Sequence, residues 1–144
     1  ISVKADAREP RDLTGVGTVL LVEDEDAVRL FSARALRNKG YKVLEASSGE
    51  SALDVLKKST GPIDLLITDI VMPRMDGPAL IKVVRKERPS IKIICISGYA
   101  EDGFRKHLDA SADIHFLPKP FSLQQLAGKV KEVMGRTEGE AVSV

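Results

Sequence analysis

Two apolar runs of this 144-residue chain end in carboxylates: Val19 to Val22 runs into Glu23 and Asp24, and Ile63 to Thr68 runs into Asp69. Two later strand-like runs finish in Ser97 and Lys119, adding a hydroxyl and an ammonium. Neighbouring parallel strands would bring all five side chains to one edge of a sheet. Two carboxylates about 4 Å apart repel by about 4 kcal/mol at an effective dielectric of about 20, so three in one pocket need a cation or a raised pKa. Oxygen-only ligands favour Mg²⁺, with Mn²⁺ as a substitute, over zinc or copper. Asp24 and Asp69 would bind the ion directly and Glu23 through a water. With the dication and Lys119 present the charges sum to zero, and the pocket attracts phosphoryl oxygens that the bare acids repel. Phosphoryl chemistry is the expectation.

Each residue also has a plainer explanation. A lone carboxylate or serine at a strand end is more often a helix cap, and a lysine more often a solvated charge. Their joint occurrence shifts the balance toward a site. His107 and His115 lack partners at metal-ligand spacing, and Cys95, inside Ile93 to Ile96, reads as a small buried thiol. Met72, Met75 and Met134 read as packing residues, and Phe116 as a core aromatic. No glycine loop or nucleotide fingerprint is present in the sequence, so this chain is not expected to make its own phosphoryl donor.

The elements that must position these groups follow from periodicity. The length suits one domain, and 43% hydrophobic with 30% charged residues is the balance of a globular protein. A net charge of +1 without a basic tract gives no electrostatic case for nucleic acid, and the apolar runs are too short to span a membrane. Residues 1–16 read as a flexible linker, 17–135 as the folded domain and 136–144 as a disordered tail. The start at Ile1 without an initiator Met or signal pattern suggests an excised piece of a longer, cytoplasmic chain. After β-like Thr18 to Val22, a helix over Asp26 to Lys39 would turn Val28, Phe31, Ala35 and Leu36 inward. Tyr41 to Ala46 reads as an outer strand, and Ser47 or Ser48 would cap a helix over Glu50 to Lys58. Strand Ile63 to Thr68 precedes a helix from Pro78 to Glu87, and Ile91 to Ile96 reads as a central strand. A short helix over Glu101 to Ala110 is expected, then strand Ile114 to Leu117. Ser122 with Gln125 forms a capping box for a last helix ending at Met134. Five such alternations make an α/β three-layer, doubly wound sandwich with a parallel sheet. Ligands in such sheets bind beyond the carboxyl ends of the strands.

Four blocks resemble the response-regulator receiver domain in order and position: Val22-Glu23-Asp24-Glu25, Asp69 to Pro73 with Asp76-Gly77, Ser97 to Ala100, and Phe116 to Phe121. The resemblance covers Thr18 to Met134. It implies a flavodoxin-like (βα)5 fold with strand order 2-1-3-4-5. By the same resemblance Asp69 is the phosphoacceptor, Glu23 and Asp24 the acidic pair, and the Val71 backbone carbonyl a further metal ligand. Ser97 is the switch hydroxyl, Lys119 the phosphate-contacting lysine with a cis bond to Pro120, and Phe116 the switch aromatic. Phe116 has no hydroxyl to bond outside the pocket, so packing alone would drive its rotation. Val71 and Tyr99 would flank the phosphoryl group and restrain water, giving a long-lived phosphoform. More narrowly, Leu13 through Ala35 and Lys119-Pro120-Phe121 resemble the C-terminal receiver of an alphaproteobacterial hybrid histidine kinase of the cell-cycle type.

That resemblance implies a phosphorelay. Its partners are a histidine kinase dimerisation domain and a histidine phosphotransferase, with no nucleic acid and no direct membrane contact, although the parent protein could be membrane-anchored. No enzyme activity beyond self-phosphorylation and dephosphorylation at Asp69 is expected. A stand-alone response regulator acting by partner binding needs the same site. A Toprim-like metal nuclease fits only in part, because a second Asp is wanted where Val71 stands. A flavodoxin-like electron carrier shares the architecture, but acids after the first strand would repel a flavin phosphate.

Overall fold

A computed structural model describes residues 15–97 and 114–135 of the chain. The helix expected over Glu101 to Ala110, with Tyr99 and His107, lies outside the described residues, as do residues 1–14 and the tail. Among the described residues the order is β1 (Thr18–Val22), α1 (Asp26–Asn38), β2 (Lys42–Ala46), α2 (Gly49–Lys58), β3 (Leu65–Asp69), α3 (Gly77–Glu87), β4 (Lys92–Ser97), β5 (Ile114–Pro118) and α4 (Leu123–Met134). Element ends differ from the periodicity reading by one or two residues.

The strands form one five-stranded parallel sheet in the order β2-β1-β3-β4-β5. Alternation along each strand divides the core in two. Leu20, Val22, Leu66, Ile93 and Cys95 face α2 and α3, meeting Leu56, Leu80, Ile81 and Val84. Val19, Leu21, Leu65, Ile67, Ile94 and Ile96 face α1 and α4, meeting Leu36, Leu126, Val130 and Val133. Each aliphatic side chain fully buried this way contributes roughly 1.5–3 kcal/mol. Strand β3 lies between β1 and β4 and is buried along its whole length, Thr68 and Asp69 included. The chain leaves β1 for β2 on one side and returns to β3 on the other. That reversal opens a crevice at the carboxyl ends of β1 and β3.

Local chemistry starts the helices. Ser48 and Ser51 form a reciprocal capping box for α2, Asp76 accepts from Ala79 N–H to cap α3, and Ser122 with Gln125 makes the box expected for α4. Gly40 ends the α1 turn with φ of +109°, and a β carbon there would stand 2.5 Å from the Gly15 carbonyl oxygen. The turn also ties down the start of the described chain, where Gly15 N–H donates to Lys39 O.

One expectation is corrected. Phe31 was assigned to the inward face of α1, but it is 56% exposed, while Ser32, Ala33, Ala35 and Leu36 are buried. Small residues let α1 lie close to the sheet, and the ring turns outward beside exposed Leu30. Phe31→Ser should therefore change unfolding free energy by less than about 1 kcal/mol, whereas Leu36→Ala should cost about 2–5 kcal/mol, as read by urea denaturation. A larger loss for Phe31→Ser than for Leu36→Ala would reverse this facing.

Candidate functional site

Asp69 is the last residue of β3 and 4% exposed. Its backbone cannot retreat, because Ile70 N–H donates to Ile96 O (3.2 Å) and Gly77 N–H donates back to Ile70 O (2.8 Å). This second bond folds the loop over the strand end. A β carbon on Gly77 would lie 2.4 Å from Asp69 O, so only glycine lets α3 start this close to the strand. Arg74 in the same loop has φ of +65° and pairs with Glu50 at 3.4 Å.

Glu23 follows β1 and is 1% exposed, whereas neighbouring Asp24 is exposed. Glu23 N–H donates to Ala46 O (3.0 Å), and Glu23 Oε2 accepts from Glu25 N–H (3.0 Å). Glu23, Asp24 and Asp69 each offer a carboxylate oxygen, and the three atoms lie within 4.8 Å of one another. Lys119 Nζ stands 3.3 Å from Asp69 Oδ1 and 3.8 Å from Glu23 Oε1. The main chain fixes that lysine beside the acids, its N–H donating to Ser97 O (2.7 Å). The Lys119-Pro120 bond is cis. Ser97 and Lys119 therefore meet through backbone at the ends of β4 and β5.

Glu23 Oε1 and Asp69 Oδ1 are buried without a hydrogen-bond partner among the described residues; the Lys119 contacts are ion pairs rather than aligned hydrogen bonds. Two buried anionic oxygens aimed into one pocket, with an exposed third acid at its mouth, fit a small hard cation. The acidic cluster could thus hold a metal. In its absence, burial drives the Glu23 carboxyl up, reinforced by Asp69, to about 8 from 4.5. Burial also raises Asp69, with the adjoining Glu23 carboxyl and the Lys119 ammonium opposing. Burial alone would lower Lys119; the Asp69 and Glu23 charges outweigh it and hold the ammonium above its ordinary value.

The other expected residues fall around this pocket or away from it. The Val71 side chain is exposed, and Phe116 is half-buried against the α2–α3 side of the core, in register with Cys95. His115 pairs with Ile94 on β5, away from the acids' strand ends. Cys95 is buried, its thiol pushed up to about 12 by desolvation, consistent with a packing role. Met72 is buried, with Met75 packed against one core half and Met134 against the other. Periodicity missed Arg29, which donates to the Glu23 carbonyl from the first turn of α1 (2.8 Å).

The chain belongs to the response regulator receiver domain family, which it matches over residues 19–131. It is 54% identical over 127 residues to the sensor kinase CckA of Brucella abortus (strain 2308), covering 88% of this chain and 13% of that kinase. Against the response regulator receiver protein CpdR of the same strain it is 37% identical over 116 residues, covering 81% and 95%. A crystal structure of the receiver domain from the hybrid histidine kinase CckA superposes with a TM-score of 0.70 at 42% identity, over 82% of this chain and 99% of that one. The chain therefore spans about an eighth of its kinase relative and nearly all of the receiver-only one. Its family places it in two-component signalling. No helix among the described residues is long and apolar enough to cross a membrane.

The raised carboxyls make stability depend on pH. Between about 4.5 and 8 the folded metal-free protein holds a proton on Glu23 that the unfolded chain has released. The native state binds more protons there, so stability falls as pH rises, by at most about 1.4 kcal/mol per pH unit for one group. Thermal unfolding in EDTA should give a lower Tm at pH 8 than at pH 5.5, and Glu23→Gln should flatten the trend. A Tm that climbs across this window would contradict the buried, protonated Glu23.

Proposed function

We propose that this receiver domain accepts a phosphoryl group from a phosphohistidine onto Asp69 and passes it to, or takes it back from, a histidine phosphotransferase. The observation that carries this reading is the pairing of a buried, hydrogen-bond-deficient Asp69 oxygen with Lys119 Nζ at 3.3 Å, inside the triad of acids. An Asp69 carboxylate oxygen attacks phosphorus in line with the phosphoimidazole P–N bond. A P–O bond forms, the P–N bond breaks, and its electron pair stays on the imidazole nitrogen. Lys119 offsets charge on the nucleophile and on the transferring oxygens. Asp24 and Asp69, with Glu23 through a water and the Val71 carbonyl, would hold Mg²⁺, which supplies further neutralisation of the phosphoryl oxygens when bound.

In the acyl phosphate the Ser97 hydroxyl bonds a new phosphoryl oxygen and Phe116 packs inward behind it. This biases the surface formed by the fourth and fifth strand–helix units. Exposed Leu30 and Phe31 on α1, just past the acidic turn, suit an apolar helical partner presenting its histidine. The 54% identity to a kinase segment favours a hybrid histidine kinase as parent, with that kinase as donor. The near-complete coverage of a receiver-only protein supports the second reading, a stand-alone regulator acting by partner binding. A reading frame continuing upstream of Ile1 into kinase sequence would decide between them.

Incubation with acetyl phosphate and Mg²⁺, followed by mass mapping, should place the phosphoryl group on the peptide containing Asp69. Asp69→Asn should reduce incorporation to background, from acetyl phosphate and from a phosphohistidine donor alike. Incorporation at the wild-type rate in that variant would refute the assignment.

A further inference from the structure

Glu23 is pinned at three atoms. Its N–H is held by Ala46 O, its Oε2 by Glu25 N–H, and its carbonyl oxygen by Arg29 Nη1 at 2.8 Å. The atom left over is Oε1, which lies toward Lys119. Arg29 is itself held from two sides: Nη2 donates to Asp26 Oδ1 at 2.7 Å, and Nε lies 3.5 Å from Glu45 Oε1. Glu45 sits on β2 in register with Leu21 of β1, and its Oε2 accepts from Arg37 Nη1 at 2.9 Å. Arg37 in turn donates to Val43 O at 2.7 Å. The Arg29 side chain is 15% exposed, whereas Asp26 is 79% exposed. Its less solvent-exposed anchors are therefore Glu45 and the Glu23 carbonyl.

We infer that Arg29 is a positioning residue for the acidic pocket: by gripping the Glu23 carbonyl, it fixes the turn that aims the Glu23 and Asp24 carboxylates at Asp69. Glu45 on the edge strand β2, itself paired with Arg37 of α1, holds Arg29 in place for this task. A guanidinium is required because its planar fork serves a carbonyl and two carboxylates at once, whereas a lysine has the same charge on a single head. The inference rests on the proposal that the three acids bind a divalent cation.

Mg²⁺ titration by calorimetry, well below the unfolding temperature, tests it without reference to phosphorylation. Loss of a partner that orients ligating groups typically weakens metal affinity about 10–100-fold, so Arg29→Ala should raise the Mg²⁺ Kd by about tenfold or more. Arg29→Lys should fail to restore it, and Glu45→Gln, a near-isosteric change that keeps the fold, should raise it by a smaller factor. In metal-free protein the Glu25 amide, donated to Glu23 Oε2, should exchange faster in Arg29→Ala. Phosphorylation by acetyl phosphate should recover at saturating Mg²⁺. Wild-type Mg²⁺ affinity in Arg29→Ala alongside a lowered Tm would reduce Arg29 to a stabilising ion pair, and full rescue by Arg29→Lys would reduce it to a charge. Either result overturns the inference while the cation site stands. An unchanged Mg²⁺ Kd in Asp24→Asn would instead remove the cation site, and the inference with it.

Discussion

Repulsion among three carboxylates governs the end of this sheet. Glu23, Asp24 and Asp69 bring oxygens within 4.8 Å of one another with a single ammonium, Lys119, against the two buried ones. A whole domain is stable by only about 5–15 kcal/mol, so one unrelieved like-charge contact is a sizeable fraction of the total. Side chains on loose loops would splay apart. These cannot, because Asp69 ends a strand buried on both faces and Glu23 is bonded through main chain and side chain together. In the metal-free pocket proton uptake offsets the repulsion, the direction in which burial drives both the Glu23 and Asp69 carboxyls, and a bound cation would take the proton's place. Rigidity of the β1–β3 crevice keeps the three acids in one pocket rather than letting them spread as surface acids.

What the sequence discloses of this arrangement is what depends on local chemistry. Strand ends are marked by the change from apolar residues to Glu23, Asp69 or Ser97, and the Ser122–Gln125 box is a local signal that survives into the structure. The alternation of strand and helix likewise predicts a doubly wound sheet, and the order β2-β1-β3-β4-β5 agrees with the family resemblance. Phe31 shows where periodicity stops helping. Apolar or small residues lie all around α1, at Val28, Leu30, Phe31, Ala33, Ala35 and Leu36, so more than one face could be turned inward. Tertiary packing chose the face with Ser32 and Ala33, which permits close approach to the sheet. Arg29 was illegible for a related reason, since its anchor Glu45 lies on a different strand and becomes its neighbour only after β2 pairs with β1.

Glycine sets the other limit on the pocket. Loop residues from Ile70 to Asp76 must return over the end of β3 and still begin α3 with an Asp76 cap. That return brings Gly77 against the Asp69 carbonyl, where a β carbon would stand 2.4 Å from the oxygen and force the backbone on one side to shift. Here the acidic residue and the glycine are parts of one steric requirement. Asp76 and Gly77 are therefore as much a part of the pocket's geometry as the groups that line it.

Adjacent Glu23 and Asp24 have opposite exposure, and this divides their work. A strand end turns consecutive side chains to different surroundings; the longer Glu23 folds under and gives one oxygen to Glu25 N–H, while Asp24 stays in solvent. On the proposed reading, a hydrated cation arriving from solution would meet Asp24 without any opening of the core. Only afterwards would it engage Asp69 and the remaining Glu23 oxygen, where desolvation makes each contact electrostatically stronger. On the proposed reading, exchange of the ion would be governed by the exposed carboxylate and affinity by the buried ones. A phosphohistidine donor, as proposed, would bring its phosphoryl group to Asp69 from the side where Asp24 and the exposed Val71 side chain stand.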